Sequence, residues 1–235
     1  MRHIVALSGG KDSTALALRL AEVEPRQYTY VVTPTGDELP DVVDHWLRLG
    51  RLLGAPLVPL TQGVSLNGLV ERFHALPNWR QRWCTRILKV EPFLAFALAH
   101  RPATVYVGLR ADEDREGVDY GAVDGLTKRY PLAEWGWGVR DVVSYLHARR
   151  VTVPPRTDCA RCFFQTLGEW YNLWATHPAT YAEAEAQEVA VGHTFRSPGR
   201  DTWPASLREL RARFEAGAVP VRHNRRGGGC RICTL

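Results

Sequence analysis

An apolar run over residues 3–7 stops at Ser8-Gly9-Gly10-Lys11-Asp12-Ser13, and apolar residues at helical spacing take over from 14 to 23. A strand that turns on glycines directly into a helix leaves unpaired backbone N–H groups at the positive end of the helix, ready to hold an anion. The two glycines let the backbone approach closely. Lys11 adds a mobile positive charge, and Ser8 and Ser13 bring hydroxyl donors to the same anion. The spacing is not that of the GxxxxGK(S/T) loop that cradles β- and γ-phosphates, so chemistry at a γ-phosphate is disfavoured. An ordinary turn with a capping serine would explain the glycines alone, but not all six residues.

The alternation continues. A β-rich run over 28–33 ends at Pro34-Thr35-Gly36-Asp37, a helical pattern covers 40–53, and 57–60 reads as a third strand. Residues 66–73 and 86–100 read as helices, and 104–109 as an apolar strand before the charged ADEDREG. The expected fold class is therefore α/β: a doubly wound, mainly parallel, Rossmann-like sheet with helices on both faces and ligands beyond the carboxyl ends of its strands. Ser8 and Gly36 fall at such ends. Beyond 129 a helix is expected over 139–150, then the proline-punctuated VTVPPRTDCARC and aromatic-rich helical sequence over 167–186. The composition shift near 150 divides the 235 residues into an expected nucleotide-binding α/β domain, 1–150, and a cysteine-containing helical region packed on it, 151–235.

Thirty Lys and Arg against 25 Asp and Glu leave a net charge of +5, which suits an anionic ligand without choosing one. No apolar run reaches the roughly 18 residues of a membrane span, and the start lacks a signal-peptide pattern, so the expected location is the cytoplasm, with no membrane partner. Five cysteines in that reducing compartment argue against a disulfide framework. Two CxxC pairs, Cys159/Cys162 and Cys230/Cys233, point instead to metal or redox chemistry, since each brings two thiolates to one ion. His3 reads as structural, and His177, His193 and His223 have no ligand-like spacing. Trp135, Trp137, Trp170 and Trp174 read as core or subunit-interface residues.

SGGKDS resembles the PP-loop of the adenine nucleotide α-hydrolase family, which includes ATP pyrophosphatases, sulfurtransferases and nucleotide sulfate reductases. TPTGDELPDVVDHW, RWCTRILKVEPF, GLRADEDREG and YPLAEWGWGVRDVVSYLHARRVTVPP resemble, in the right order, successive segments of the phosphoadenosine phosphosulfate (PAPS) reductase-like branch. The resemblance runs from residue 4 to 162 and does not cover 170–235. It implies that Ser8, Gly9, Gly10, Lys11, Asp12 and Ser13 bind nucleotide phosphates, with Thr35 and Gly36 after the second strand, and that Lys11, Asp12 and Arg110 are catalytic. Asp12 would also hold Mg²⁺, the alternative being a first-turn carboxylate that favours the helix dipole. Asp37 and Glu38 would meet ribose, metal or substrate, or form a solvated turn. Arg86, Lys89, Arg110 and Arg115 would grip phosphate or sulfate oxygens, for which the arginine fork is suited, or else pair with Asp112, Glu113 and Asp114.

In reductases and DNA phosphorothioation proteins of this family, cysteines at the positions of Cys84, Cys159 and Cys162 belong to an iron–sulfur cluster. Here Trp83-Cys84 replaces the usual Cys-Cys, so one ligand is missing, and Cys230 or Cys233 would supply it. The implied cofactors are ATP, Mg²⁺ and a 4Fe–4S cluster or Zn²⁺. The implied partners are an adenine nucleotide, a nucleic acid or sulfur carrier, and a second copy of the chain. Three functions follow: an ATP pyrophosphatase that adenylates a substrate for sulfur transfer, a PAPS or adenylylsulfate reductase, and a non-catalytic nucleotide- or nucleic-acid-binding module. The complete SGGKDS and the absence of the reductases' Glu-Cys-Gly-Leu-His tail favour the first, while the likeness from residue 84 onward favours the second.

Overall fold

The computed structural model describes residues 1–113 and 123–220. Five strands, β1 (Arg2–Ala6), β2 (Tyr28–Val32), β3 (Leu57–Pro59), β4 (Ala103–Tyr106) and β5 (Leu126–Arg129), form one parallel sheet in the order β3-β2-β1-β4-β5. Parallel pairing needs crossovers, and helices α1 (Lys11–Val23), α2 (Pro40–Leu52), α3 (Leu66–Phe73) and α5 (Glu91–Ala99) lie on the connections. Because successive side chains of a strand point to opposite faces, neighbouring residues feed different cores. Val5, Tyr30, Val32 and Tyr106 pack with Leu16 and Leu20 of α1, Leu49 of α2 and Val142 of α7 (Val139–Ala148). Ile4, Ala6, Val31 and Val105 pack on the other face with Phe93 and Ala97 of α5.

β1 is central, and the chain leaves it toward β2 on one side and β4 on the other. That reversal opens a crevice at the carboxyl edge between the loops that follow β1 and β4, the place where open α/β sheets bind ligands. The loop after β4 closes tightly on the start of α1: a Cβ added at Gly108 would stand 3.1 Å from the Asp12 carbonyl carbon and the Ser13 nitrogen.

The strand expected over 104–109 ends at Tyr106. Strand β5 is short and carries one aliphatic residue, Leu126, so its pairing with β4 rather than its own pattern makes it a strand. The helix expected over 86–100 begins earlier, at α4 (Trp83–Thr85), and passes through a π turn (Arg86–Val90) into α5. Pro92 follows that turn and has no N–H to offer the carbonyl four residues back, which accounts for the wider local winding. The short α6 (Pro131–Glu134) precedes α7. The helical stretch over 167–186 is two helices, α8 (Leu167–Thr176) and α9 (Pro178–Val191), broken where Pro178 starts a new one; α10 (Leu207–Glu215) follows. Trp170, Leu173, Tyr181, Ala184, Leu207, Leu210 and Phe214 of these helices form a core that also takes in Val70 and Leu76. Among the described residues, no helix is long and apolar enough to cross a membrane.

Candidate functional site

Gly9 adopts φ +80°, and an added Cβ would stand 2.5 Å from the Trp46 Nε1, so both its conformation and its neighbour require glycine. Helix α2 grips the loop from behind. The Trp46 indole N–H donates to the Ser8 carbonyl (3.2 Å), Thr14 Oγ1 donates to the Gly9 carbonyl (3.4 Å), and His45 Nε2 stands 3.3 Å from Thr14 Oγ1. Burial pushes His45 down to about 4, so its ring is neutral near pH 7. Ser8 Oγ accepts from the Gly10 N–H (3.2 Å) and lies 3.1 Å from Ser13 Oγ, which donates to the Gly10 carbonyl (3.2 Å). Trp46 and His45 were not singled out by the sequence, because only packing shows that their helix backs the loop.

Asp12 is buried in the first turn of α1, where its Oδ2 accepts from Lys11 Nζ (3.1 Å) and from Arg110 Nη1 (2.8 Å). Arg110 arrives from the loop after β4, across the crevice, and also pairs with Asp112 through Nε (2.8 Å) and with Glu113 (2.9 Å). These carboxylates raise the Arg110 pKa against the opposing effect of burial. The Asp112 carboxylate in turn accepts from the Val139 N–H at the start of α7 (2.9 Å). Arg110 therefore forms the salt bridges that are one of its two expected roles, joining the two loops through carboxylates. Asp12 Oδ1 is buried without a hydrogen-bond partner, and a hard carboxylate oxygen so placed fits Mg²⁺.

Thr35 and Gly36 follow β2, and Glu38 closes their turn: its Oε1 accepts from the Thr35 N–H and Oγ1 (both 2.7 Å), its Oε2 from the Gly36 N–H (3.0 Å). Asp37 is fully enclosed. It accepts from the Arg161 Nε (2.7 Å), Nη2 and backbone N–H (2.9 Å), while its carbonyl accepts from the Ala160 N–H (2.6 Å). Burial pushes the Asp37 carboxyl up while Arg161 pulls it down. This pair pins the CxxC segment to the turn after β2. Arg161 was not anticipated; nothing in CARC distinguishes a buried arginine from a surface one.

The pinned segment brings Cys159 and Cys162 to a small cavity with Cys84, which is also lined by Thr35, Thr85, Lys89 and Arg161. The Phe164 N–H donates to Cys162 Sγ (3.4 Å), and Arg156 Nη2 donates to the Cys159 carbonyl (2.6 Å). Burial, helped by Cys159, pushes the Cys84 thiol up to about 11; the neighbouring Cys162 and burial push Cys159 up as well. Thiols are the donor type that a Zn²⁺ or an iron–sulfur cluster takes, and three of them line this cavity without being drawn together around one point. Among the described residues no three His, Cys, Asp or Glu side chains are grouped as a metal would require. Cys230, Cys233 and Arg115 lie outside the described residues. Arg86 is exposed and pairs with Glu91 (2.7 Å), whereas Lys89 lines the cavity.

The two centres adjoin. A Cβ at Gly10 would stand 3.3 Å from Thr157 Oγ1, and Cys159, two residues further on, lines the thiol cavity.

A five-stranded parallel sheet with this loop at its switch point defines an α/β protein of the Rossmann-like class. The family model for the phosphoadenosine phosphosulfate reductase domain matches residues 2–173, and the chain belongs to that family. Among solved structures it is similar to phosphoadenylyl-sulfate (PAPS) reductase from Candida auris in a phosphate complex, at 17% identity and TM-score 0.52 over 65% of this chain and 75% of that one. The U34-tRNA thiolase NcsA from Methanococcus maripaludis, with its 4Fe–4S cluster, aligns at 13% identity and TM-score 0.49 over 94% of this chain and 82% of that one. The likeness to the reductase is one of fold, and that to the thiolase is too slight to say more. No curated protein matches in sequence.

Proposed function

We propose that the chain is a PP-loop ATP pyrophosphatase that adenylates an acceptor oxygen and couples the adenylate to sulfur transfer. The observation that carries this reading is Asp12, held between Lys11 and Arg110 at the start of α1 with one oxygen unpartnered. The acceptor oxygen would attack the α-phosphorus of ATP, forming a P–O bond while the bond to the bridging oxygen breaks and pyrophosphate leaves with the electron pair. Sulfide would then attack the carbon bearing the adenylated oxygen and expel AMP.

Catalysis of the first step is electrostatic. The glycine loop and Lys11 would stabilise charge that gathers on the departing pyrophosphate, and Arg110 holds Asp12, which Lys11 also reaches, from across the crevice. Mg²⁺, when bound, would neutralise phosphate oxygens, with Asp12 Oδ1 as its protein ligand. Cys84, Cys159 and Cys162, which line one cavity, would hold the metal or cluster that supplies the sulfur chemistry. A second reading, a PAPS or adenylylsulfate reductase, is favoured by the family match.

One experiment separates them: pyrophosphate release from ATP with Mg²⁺, beside sulfite release from PAPS and adenylylsulfate with thioredoxin, using anaerobic protein. Pyrophosphate that disappears in Lys11→Ala and Asp12→Ala, with both variants folded, supports adenylation; sulfite supports the reductase. Turnover that survives in both variants refutes the site.

A further inference from the structure

The rim of the thiol cavity is basic and aromatic. Residues 72–89 carry Arg72, Arg80, Arg82, Arg86 and Lys89 and no Asp or Glu. Within them Pro77, Cys84 and Lys89 line the cavity, and the Arg82 guanidinium sits 5.4 Å from the ring centre of Phe164, two residues past Cys162. The segment therefore runs from the thiols out to open surface.

At its outer end stands Trp79, 60% exposed. A lone exposed apolar side chain is ordinary, but this one is held out by a built turn. Asn78 Oδ1 accepts from the backbone N–H groups of both Arg80 and Gln81 (2.9 Å each), and the Asn78 N–H donates to the Gln81 carbonyl (3.3 Å). The Arg80 guanidinium lies 4.7 Å from the indole centre and still leaves the ring mostly open. An indole presented on a fixed turn beside guanidinium groups can stack on a flat π-face attached to a polyanion.

We propose that residues 72–89 are a docking surface for single-stranded nucleic acid, with an unpaired base stacked on Trp79 and the backbone phosphates along Arg80, Arg82 and Arg86. The occupant is chosen by charge: the segment carries five basic residues and no acidic one, and of these Arg86 pairs with Glu91 just beyond it, which leaves a basic excess that complements a phosphate backbone. A duplex keeps its base faces stacked inside and offers none to the indole. The proposal rests on the adenylation and sulfur-transfer reading in one respect only, that it names the macromolecule carrying the acceptor.

The test is fluorescence anisotropy of a labelled single-stranded oligonucleotide titrated with the full anaerobic chain, with a duplex of the same sequence as control. Trp79→Ala should weaken single-strand binding by about 10-fold or more, and Trp79→Phe should recover much of it. Arg80→Ala should lower the slope of log affinity against log salt by about one. ATP binding, measured in parallel, should be unchanged in all three. Equal affinity of Trp79→Ala and wild type, equal affinity for the duplex, or no oligonucleotide binding by protein that binds ATP would each overturn the proposal. Pyrophosphate release without Trp79-dependent oligonucleotide binding sinks the surface and leaves the adenylation reading standing. The reverse result does the opposite.

Discussion

Asp37 and Arg161 are 124 residues apart and form a pair whose side chains are 2% and 4% exposed. Replacing Asp37 with Ala removes the acceptor for two guanidinium nitrogens and for the Arg161 backbone N–H, leaving an enclosed cation whose remaining carboxylate contact is the solvent-exposed Glu183 at 3.3 Å. Breaking such a pair costs about 3–5 kcal/mol, a large share of a typical stability of about 5–15 kcal/mol. With a urea slope of about 3 kcal/mol/M, the unfolding midpoint should fall by about 1–1.7 M. Tryptophan fluorescence during urea unfolding measures this. Replacing both partners by apolar residues, Asp37→Leu with Arg161→Met, should regain most of the loss, since the uncompensated charge is then gone. The same variants should show faster reaction of Cys159 and Cys162 with a thiol reagent in native buffer, because the pair anchors their segment. A single-variant cost under about 1 kcal/mol, or additive effects in the double variant, would refute the assignment of Arg161 as the anchor.

Glu188 receives the Phe195 N–H on one oxygen (2.9 Å) and the Leu207 N–H on the other (2.7 Å), so Glu188→Ala should cost about 2–4 kcal/mol, read by thermal unfolding. Burial pushes this carboxyl up to about 7, above its ordinary value of 4.5, so the folded chain holds the proton more tightly. Its contribution to stability is present below about pH 4.5 and is lost as pH rises through about 7; Glu188→Gln should flatten that part of the stability profile. Gly9→Ala meets Trp46 at a backbone angle disfavoured for alanine and should abolish ATP binding in calorimetry while lowering stability by about 1–3 kcal/mol. Chelation of the anaerobic protein should release metal or iron, with Cys159→Ser and Cys162→Ser each depleting it; full metal content in both would remove the thiol cavity as its site.

The alternation of β and helical periods made the parallel sheet legible, since periods of two and 3.6 residues are local properties of the chain. The same holds for the glycine loop between β1 and α1, whose glycines and helix start are contiguous, and for the thiol pair of Cys159 and Cys162. Strand β5 escaped because LTKR has no pattern of its own and becomes a strand by pairing with β4. Helix α10 escaped as well: its buried Leu207, Leu210 and Phe214 are spaced for a helix but stand in a charged segment with a net polar character.

Contacts between remote segments were decided by the tertiary structure alone. Arg110 meets Asp12 because β4 lies beside β1, and Cys84 meets Cys159 because Asp37 draws Arg161 to the turn after β2. Trp46 backs Gly9 because α2 packs over the loop. A sequence carries its periods, turns and donor atoms within a few residues of each other, so it determined which elements form and which chemistry each could hold. Which buried charge is compensated by which partner depends on desolvation and distance after the layers have packed, and neither exists until they do.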